Sequence, residues 1–156
     1  MKLLITGGAG FVGTRLAQAL LLRGTLAGRP IQTLVLADQA PPRAELLADP
    51  RVQARMGPLR AHCQALREET FEGVFHLASA VSGECEADFD LGLRSNLDST
   101  RALLDALRHR TACGDAPTRL VFSSSVAVFG PDPAVAWTGL VADDTLPTPQ
   151  TSYGTH

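Results

Sequence analysis

The chain has 156 residues, of which 45% are hydrophobic and 19% charged, and its formal net charge is -2 at neutral pH. This balance describes one globular domain spanning residues 1–156 and excludes disorder and collagen-like repetition. A chain of this length buries roughly two-thirds of the surface its unfolded form exposes, enough for a core without disulfides or structural metal. Acidic and basic residues are scattered, which leaves no footprint for nucleic acid or an anionic membrane.

Cys63, Cys85 and Cys113 are an odd, widely spaced set with no CxxC and no histidine pair at ligand spacing, so the sequence predicts no metal site and a reducing compartment. The apolar start Met1 to Ile5 is interrupted by Thr6-Gly7-Gly8 before it reaches the length of a signal peptide or a membrane span, and the chain reads as cytoplasmic. Of the 14 basic residues only Lys2 is a lysine, so chemistry that needs a lysine has one candidate.

In chain order, Leu3-Leu4-Ile5 is a short apolar run ending in glycines, the pattern of a strand buried on both faces. Phe11 to Arg23 carries Leu16, Ala19, Leu20 and Arg23 at helical spacing, and Gly24 stops it. Thr25 to Gln32 reads as a surface connection to a second strand, Thr33 to Ala37, with Asp38 at its end. Pro41-Pro42 precedes a short helix around Arg43 to Ala48. Arg51 to Met56 is the third strand, Ala61 to Glu69 a helix, and Gly73 to Ala78 a fourth buried strand. From Glu86 to His109 one long helix is expected, with Phe89, Leu93, Leu97, Thr100, Leu104 and Leu107 on its apolar stripe. Leu120-Val121-Phe122 is a fifth strand running into Ser123-Ser124-Ser125, and the region after Gly130 is rich in proline and loop-like. Strands alternating with helices predict an α/β, Rossmann-like doubly wound parallel sheet with helices on both faces.

Glycines at 7, 10 and 13 stand between the first strand and the first helix. Gly7 suits a tight turn, Gly10 the approach of backbone amides to a pyrophosphate, and Gly13 close helix-strand packing; Phe11 and Val12 open the helix whose N-terminus carries positive potential. The competing reading is a glycine-rich hairpin turn. Asp38, at the end of the second strand, suits the ribose hydroxyls of NAD, while Arg43 leaves NADP open. His76, inside the fourth strand, reads as a satisfied core histidine rather than a base.

Five elements in order resemble the extended short-chain dehydrogenase/reductases, the NAD-dependent epimerase/dehydratase group. They are the Gly7/Gly10/Gly13 loop, Asp38, the strand end His76-Leu77-Ala78-Ser79, the helix segment Asn96-Leu97-Asp98-Ser99-Thr100, and Ser123 to Gly130 followed by Tyr153-Gly154. Within that group, Val81-Ser82-Gly83-Glu84, Ala87-Asp88-Phe89-Asp90 and Thr148 to Thr155 are similar to members that oxidise a hydroxyl of a small sugar acid such as D-erythronate.

The resemblance implies NAD as cofactor and a sugar-acid substrate. It implies Tyr153 as general base, with Ser125 on the reacting oxygen and Ser124 beside it. Leu77, Ala78, Ser79 and Ser123 would line the cofactor, and Asn96 would brace the site. Pro58 stands where the family has an aspartate for adenine, leaving a backbone contact at Leu59. The family's lysine, four residues after its tyrosine, would fall just past His156. The chain is therefore expected to be a C-terminally incomplete, cofactor-binding half that leaves its fifth strand at an open edge, or to self-associate as a homodimer through the Glu86 to His109 helix. A sugar-nucleotide epimerase or dehydratase, and a non-catalytic dinucleotide-binding module, are the rival readings.

Overall fold

The computed structural model describes residues 1–135 and 139–156. They fall into two compact units: residues 1–79 with 98–123, and residues 80–97 with 124–156.

The first unit opens with β1 (Lys2–Thr6), α1 (Phe11–Arg23), a two-stranded hairpin of β2 (Thr25–Leu26) and β3 (Arg29–Pro30), and β4 (Thr33–Asp38). It continues through α2 (Ala44–Leu47), β5 (Val52–Met56), α3 (Leu59–Leu66) and β6 (Gly73–His76). The second unit begins with α4 (Ser82–Ala87), α5 (Phe89–Gly92) and a π-helical turn (Leu93–Asp98) whose last residue is counted with the first unit. The first unit resumes with α6 (Ser99–Ala112) and β7 (Arg119–Phe122), and the second ends with a 3-10 turn (Val126–Val128) and α7 (Ser152–Thr155).

The main sheet of the first unit has five strands in the order β5-β4-β1-β6-β7, all pairings parallel. Leu4 stands opposite Val35 on one side and Val74 on the other, and Thr6 opposite His76. The chain winds outward from β1 through β4 to β5, then crosses to β6 and β7. The crossing leaves a crevice at the carboxyl ends of β1 and β6, the place where open α/β sheets bind ligands.

Apolar residues alternate to both faces. Leu4, Val35 and Val74 pack with Cys63 and Leu66 of α3 and with Leu103, Ala106 and Leu107 of α6. Leu3, Ile5, Leu34 and Leu36 pack with Ala17 and Leu20 of α1 and Leu46 of α2. Each of the buried Val, Leu and Ile side chains contributes about 1.5–3 kcal/mol, so the doubly covered sheet is the main source of stability in this unit. At the edges, β7 exposes Leu120, Val121 and Phe122.

The expected surface connection after Gly24 contains the β2-β3 hairpin, turned by Ala27 and Gly28 at positive φ. Gly24 itself, at φ +69, returns its N–H to the Leu20 carbonyl and ends α1. The long helix expected from Glu86 is instead segmented. Asp88 adopts an extended conformation, closes α4, and caps α5 by accepting a hydrogen bond from the Leu91 N–H at 2.9 Å. A capping carboxylate held in this way outweighs the helical periodicity around it. The apolar stripe also shifts: on α6 the buried positions are Leu103, Ala106 and Leu107, while Leu104 is exposed.

Lys2 is occupied structurally. Its Nζ meets Glu69 Oε2 at 2.5 Å, and Arg55 binds the other oxygen of that carboxylate. Partial burial would raise the Glu69 pKa, but the two cationic donors outweigh it and hold the carboxyl below its ordinary value. A depressed carboxyl stabilises the fold above its unfolded pKa, and that contribution disappears as pH falls through the folded value. Glu69→Gln is expected to cost about 1–2 kcal/mol of unfolding free energy at neutral pH. The deficit should shrink in strong acid, as urea denaturation of both proteins across that pH range would show.

Candidate functional site

In the first unit the glycine loop closes on itself. Gly7, at φ +71, sends its N–H to the Ala37 carbonyl at 2.8 Å, and its carbonyl accepts the Gly10 N–H at 3.1 Å. A Cβ on Gly13 would run into the Gly7 carbonyl, and one on Gly7 would lie 2.9 Å from the Ala78 nitrogen. Gly8, which the sequence reading passed over, is equally constrained, because a Cβ there would lie 2.9 Å from the Leu36 side chain. Its signal was its place beside Gly7.

Gly10 is the N-cap of α1, and no acidic residue occupies the first turn. The N–H groups of Phe11, Val12 and Gly13 have no intrahelical acceptor by helix geometry. Phe11 and Val12 are 80% and 60% exposed, so this end of the helix is open to an anion.

Asp38, at the end of β4, is tied to the same loop. One carboxylate oxygen accepts the Ala9 N–H at 2.9 Å and the other the Ala40 N–H at 3.1 Å, which orients the carboxylate beside the glycines. The Asp38 carbonyl accepts the N–H of Gly57, and Pro58 then caps α3, whose first residue is Leu59. The loop geometry, the open helix end and the oriented carboxylate together fit the pyrophosphate and ribose of a dinucleotide.

Leu77 and Ala78 form the β6 side of the crevice. The Thr6 hydroxyl oxygen accepts the N–H groups of Leu77 at 3.2 Å and Ala78 at 3.3 Å, and lies 2.6 Å from His76 Nδ1. With two donors on that oxygen, its own hydrogen goes to Nδ1; the neutral ring therefore carries its proton on Nε2 and donates it to Thr100 Oγ1 at 2.8 Å. Burial lowers the His76 pKa from 6.5 to about 4. The expectation of a satisfied core histidine holds. Ser79 is exposed beyond this segment, and Ser123 sends its N–H to the His76 carbonyl at 3.1 Å.

In the second unit, Ser125 caps the 3-10 turn by accepting the Ala127 N–H on its hydroxyl at 3.2 Å, and Ser124 is exposed beside it. Tyr153 lies in α7, where three contacts hold it. Its N–H meets Glu86 Oε1 at 2.9 Å, the Ser152 hydroxyl donates to the Cys85 carbonyl at 3.0 Å, and Thr151 caps the helix through the Gly154 N–H. Gly154 is buried so closely against the Ala127 carbonyl that a Cβ would strike it, which joins the serine turn to the tyrosine helix. The adjacent pair Tyr153-Gly154 was the only sequence signal for that contact.

Asn96, in the π-helical turn, pairs its amide with both backbone groups of Ala80: Oδ1 accepts the N–H at 2.7 Å and Nδ2 donates to the carbonyl at 3.2 Å. Its Nδ2 also donates to Cys85 Sγ at 3.4 Å. Asn96 is thus a brace inside the second unit. Among the described residues no group of three His, Cys, Asp or Glu side chains is placed to hold a metal ion, and no helix is long and apolar enough to cross a membrane.

A parallel sheet wound from β1, with a glycine cradle and an acidic strand end at its switch point, defines a dinucleotide-binding protein of the Rossmann type. The chain belongs to the NAD dependent epimerase/dehydratase family, whose description matches residues 3–156. It is 49% identical to D-erythronate dehydrogenase of Cupriavidus necator across 99% of its own length and 46% of that protein's. The crystal structure of the nucleoside-diphosphate-sugar epimerase from Agrobacterium tumefaciens aligns with a TM-score of 0.88 at 42% identity, over 99% of this chain and 45% of that one. UDP-glucose 4-epimerase of Thermus thermophilus, solved in complex with NAD, aligns with a TM-score of 0.75 at 29% identity, over 99% of this chain and 47% of that one. The chain therefore spans about half the length of the relatives it matches.

Two outcomes follow from this geometry. Because the folded state binds the His76 proton less readily than the unfolded chain, stability is present above the ordinary histidine pKa and falls progressively between about pH 6.5 and 4. The loss should total about 3 kcal/mol and be largely absent in His76→Phe, measured by denaturant unfolding over that window. Gly154→Ala is expected to destabilise the chain by about 1–3 kcal/mol and to shift the NMR resonances of Ser125, Ala127 and Tyr153 together.

Proposed function

We propose that residues 1–156 form the NAD-binding domain of an oxidoreductase of the extended short-chain type that oxidises a hydroxyl of a small sugar acid such as D-erythronate. The observation that carries this reading is the 49% identity to a D-erythronate dehydrogenase across 99% of the chain, with the glycine cradle, Asp38, Ser125 and Tyr153 all present.

In this reading, the first-turn amides of α1 and the glycines Gly7, Gly10 and Gly13, with Phe11 and Val12, hold the pyrophosphate. Asp38 holds the adenosine ribose and disfavours a 2′-phosphate. Leu59 offers its backbone to the adenine. Leu77, Ala78, Ser79 and Ser123 line the nicotinamide half, and Asn96 braces the segment beginning at Ala80. NAD, when bound, supplies the hydride acceptor. Tyr153 takes the proton of the substrate hydroxyl, and Ser125, with Ser124 beside it, hydrogen-bonds the same oxygen and holds it for that transfer. A cytoplasmic homodimer formed through the Glu86 to His109 stretch belongs to the same reading.

A sugar-nucleotide epimerase is the second reading, supported by the likeness to the Agrobacterium structure. Calorimetric titration of the folded chain with NAD and with NADP tests the cofactor half of both readings. NAD is expected to bind in clear preference to NADP, and Asp38→Ala is expected to weaken NAD about tenfold and to narrow that preference. No binding of either dinucleotide by the folded chain would overturn the proposal.

A further inference from the structure

Among the described residues only Thr6, Thr14 and His76 are buried polar side chains, and two of these three face each other in register at the carboxyl ends of β1 and β6. An imidazole 1% exposed between apolar strands costs stability unless both ring nitrogens are satisfied. Here both are, and the hydrogen-bond chain they form has a direction: Thr100 on α6 holds His76 Nε2, His76 Nδ1 holds the Thr6 hydroxyl, and Thr6 Oγ1 holds the amides of Leu77 and Ala78.

Those two amides lie just beyond the end of β6, where the ladder stops. Leu77 has a second acceptor in the Thr6 carbonyl, whereas among the described residues the Ala78 N–H meets the Thr6 hydroxyl alone. The same backbone forms the wall against which Gly7 is packed without room for a Cβ. A displacement of Leu77-Ala78 by a few tenths of an ångström would therefore be felt by the phosphate loop.

We infer that His76 is a positioning residue for the dinucleotide, fixing through Thr6 the crevice wall Leu77-Ala78 against Gly7, and is itself fixed by Thr100. This rests on the NAD reading above, and deepens it with residues to which that reading gives no part in holding the cofactor. An apolar residue at 76 would fill similar core volume, so packing alone does not require this polar chain, whereas orienting Leu77-Ala78 does.

The test uses the full 156-residue chain. NAD affinity by calorimetry, unfolding by urea and amide exchange at Leu77 and Ala78 are measured for Thr6→Val, Thr6→Ser, His76→Phe and Thr100→Val, with Leu103→Ala as a destabilised core control. Thr6→Val and His76→Phe are expected to weaken NAD about tenfold, Thr6→Ser to restore it, and Leu103→Ala to leave it unchanged. Should His76→Phe fail to fold, Thr100→Val, which removes only the outer partner, carries the test with a smaller loss of the same sign. Equal NAD affinity in all folded variants, or an equal loss in Leu103→Ala, overturns the inference while leaving the NAD reading intact. If the unaltered chain binds no NAD, that reading fails instead, and exchange at Ala78 decides the inference. Faster exchange in Thr6→Val but not in Thr6→Ser upholds the positioning of the wall; unchanged exchange overturns it.

Discussion

The absence of a side chain at Gly7 and Gly13 is the constraint on which the rest of the first unit depends. The carbonyl of one glycine occupies the place that a Cβ on the other would need, and Gly7 also lies against the backbone of Leu77-Ala78. These approaches bring β1, the start of α1 and the end of β6 together at one point. Dispersion and burial then act on both faces of the sheet, but the cradle is set by where backbone may touch backbone.

The second unit repeats the device with a different residue. Gly154 lets α7 rest on the Ala127 carbonyl, so the turn capped by Ser125 and the helix carrying Tyr153 are held by backbone contact as well as by hydrogen bonds. Short elements such as these have little intrinsic stability, since a single turn cannot offset its nucleation cost. Their conformation comes from side-chain caps at Asp88, Ser125 and Thr151 and from the Asn96 amide on Ala80. This explains why a motif can be legible in sequence while the segment around it is not.

The α/β sheet was readable because buried parallel strands are short apolar runs, and Leu3 to Ile5, Thr33 to Ala37 and Gly73 to His76 are such runs between glycines and polar breaks. α1 was readable to its ends because Gly10 and Gly24 bracket it. The stretch from Glu86 to His109 reads as one helix because periodicity reports an apolar stripe but not the conformation of a single residue. Asp88, by turning extended and capping α5, broke a pattern that Phe89, Leu97 and Leu104 seemed to continue, and all three are exposed. The roles of Thr6 and Thr100 were invisible for a related reason: a threonine gives no sign in sequence of which partner its hydroxyl will meet.

By itself the sequence determined the five strands of the main sheet, their parallel winding, and the places of the glycines between β1 and α1 and of Asp38 at the end of β4, because these follow from local sterics and from patterns that repeat within a few residues. Tertiary structure alone decided that Thr6, His76 and Thr100 form one buried chain, that Glu86 and Cys85 hold the tyrosine helix, and that Leu103 rather than Leu104 faces the core. Each of those outcomes joins or orients residues through packing between distant segments. The physical reason is that a hydrogen bond or a buried face is chosen by the three-dimensional neighbour that desolvates it, and sequence spacing carries no record of that neighbour.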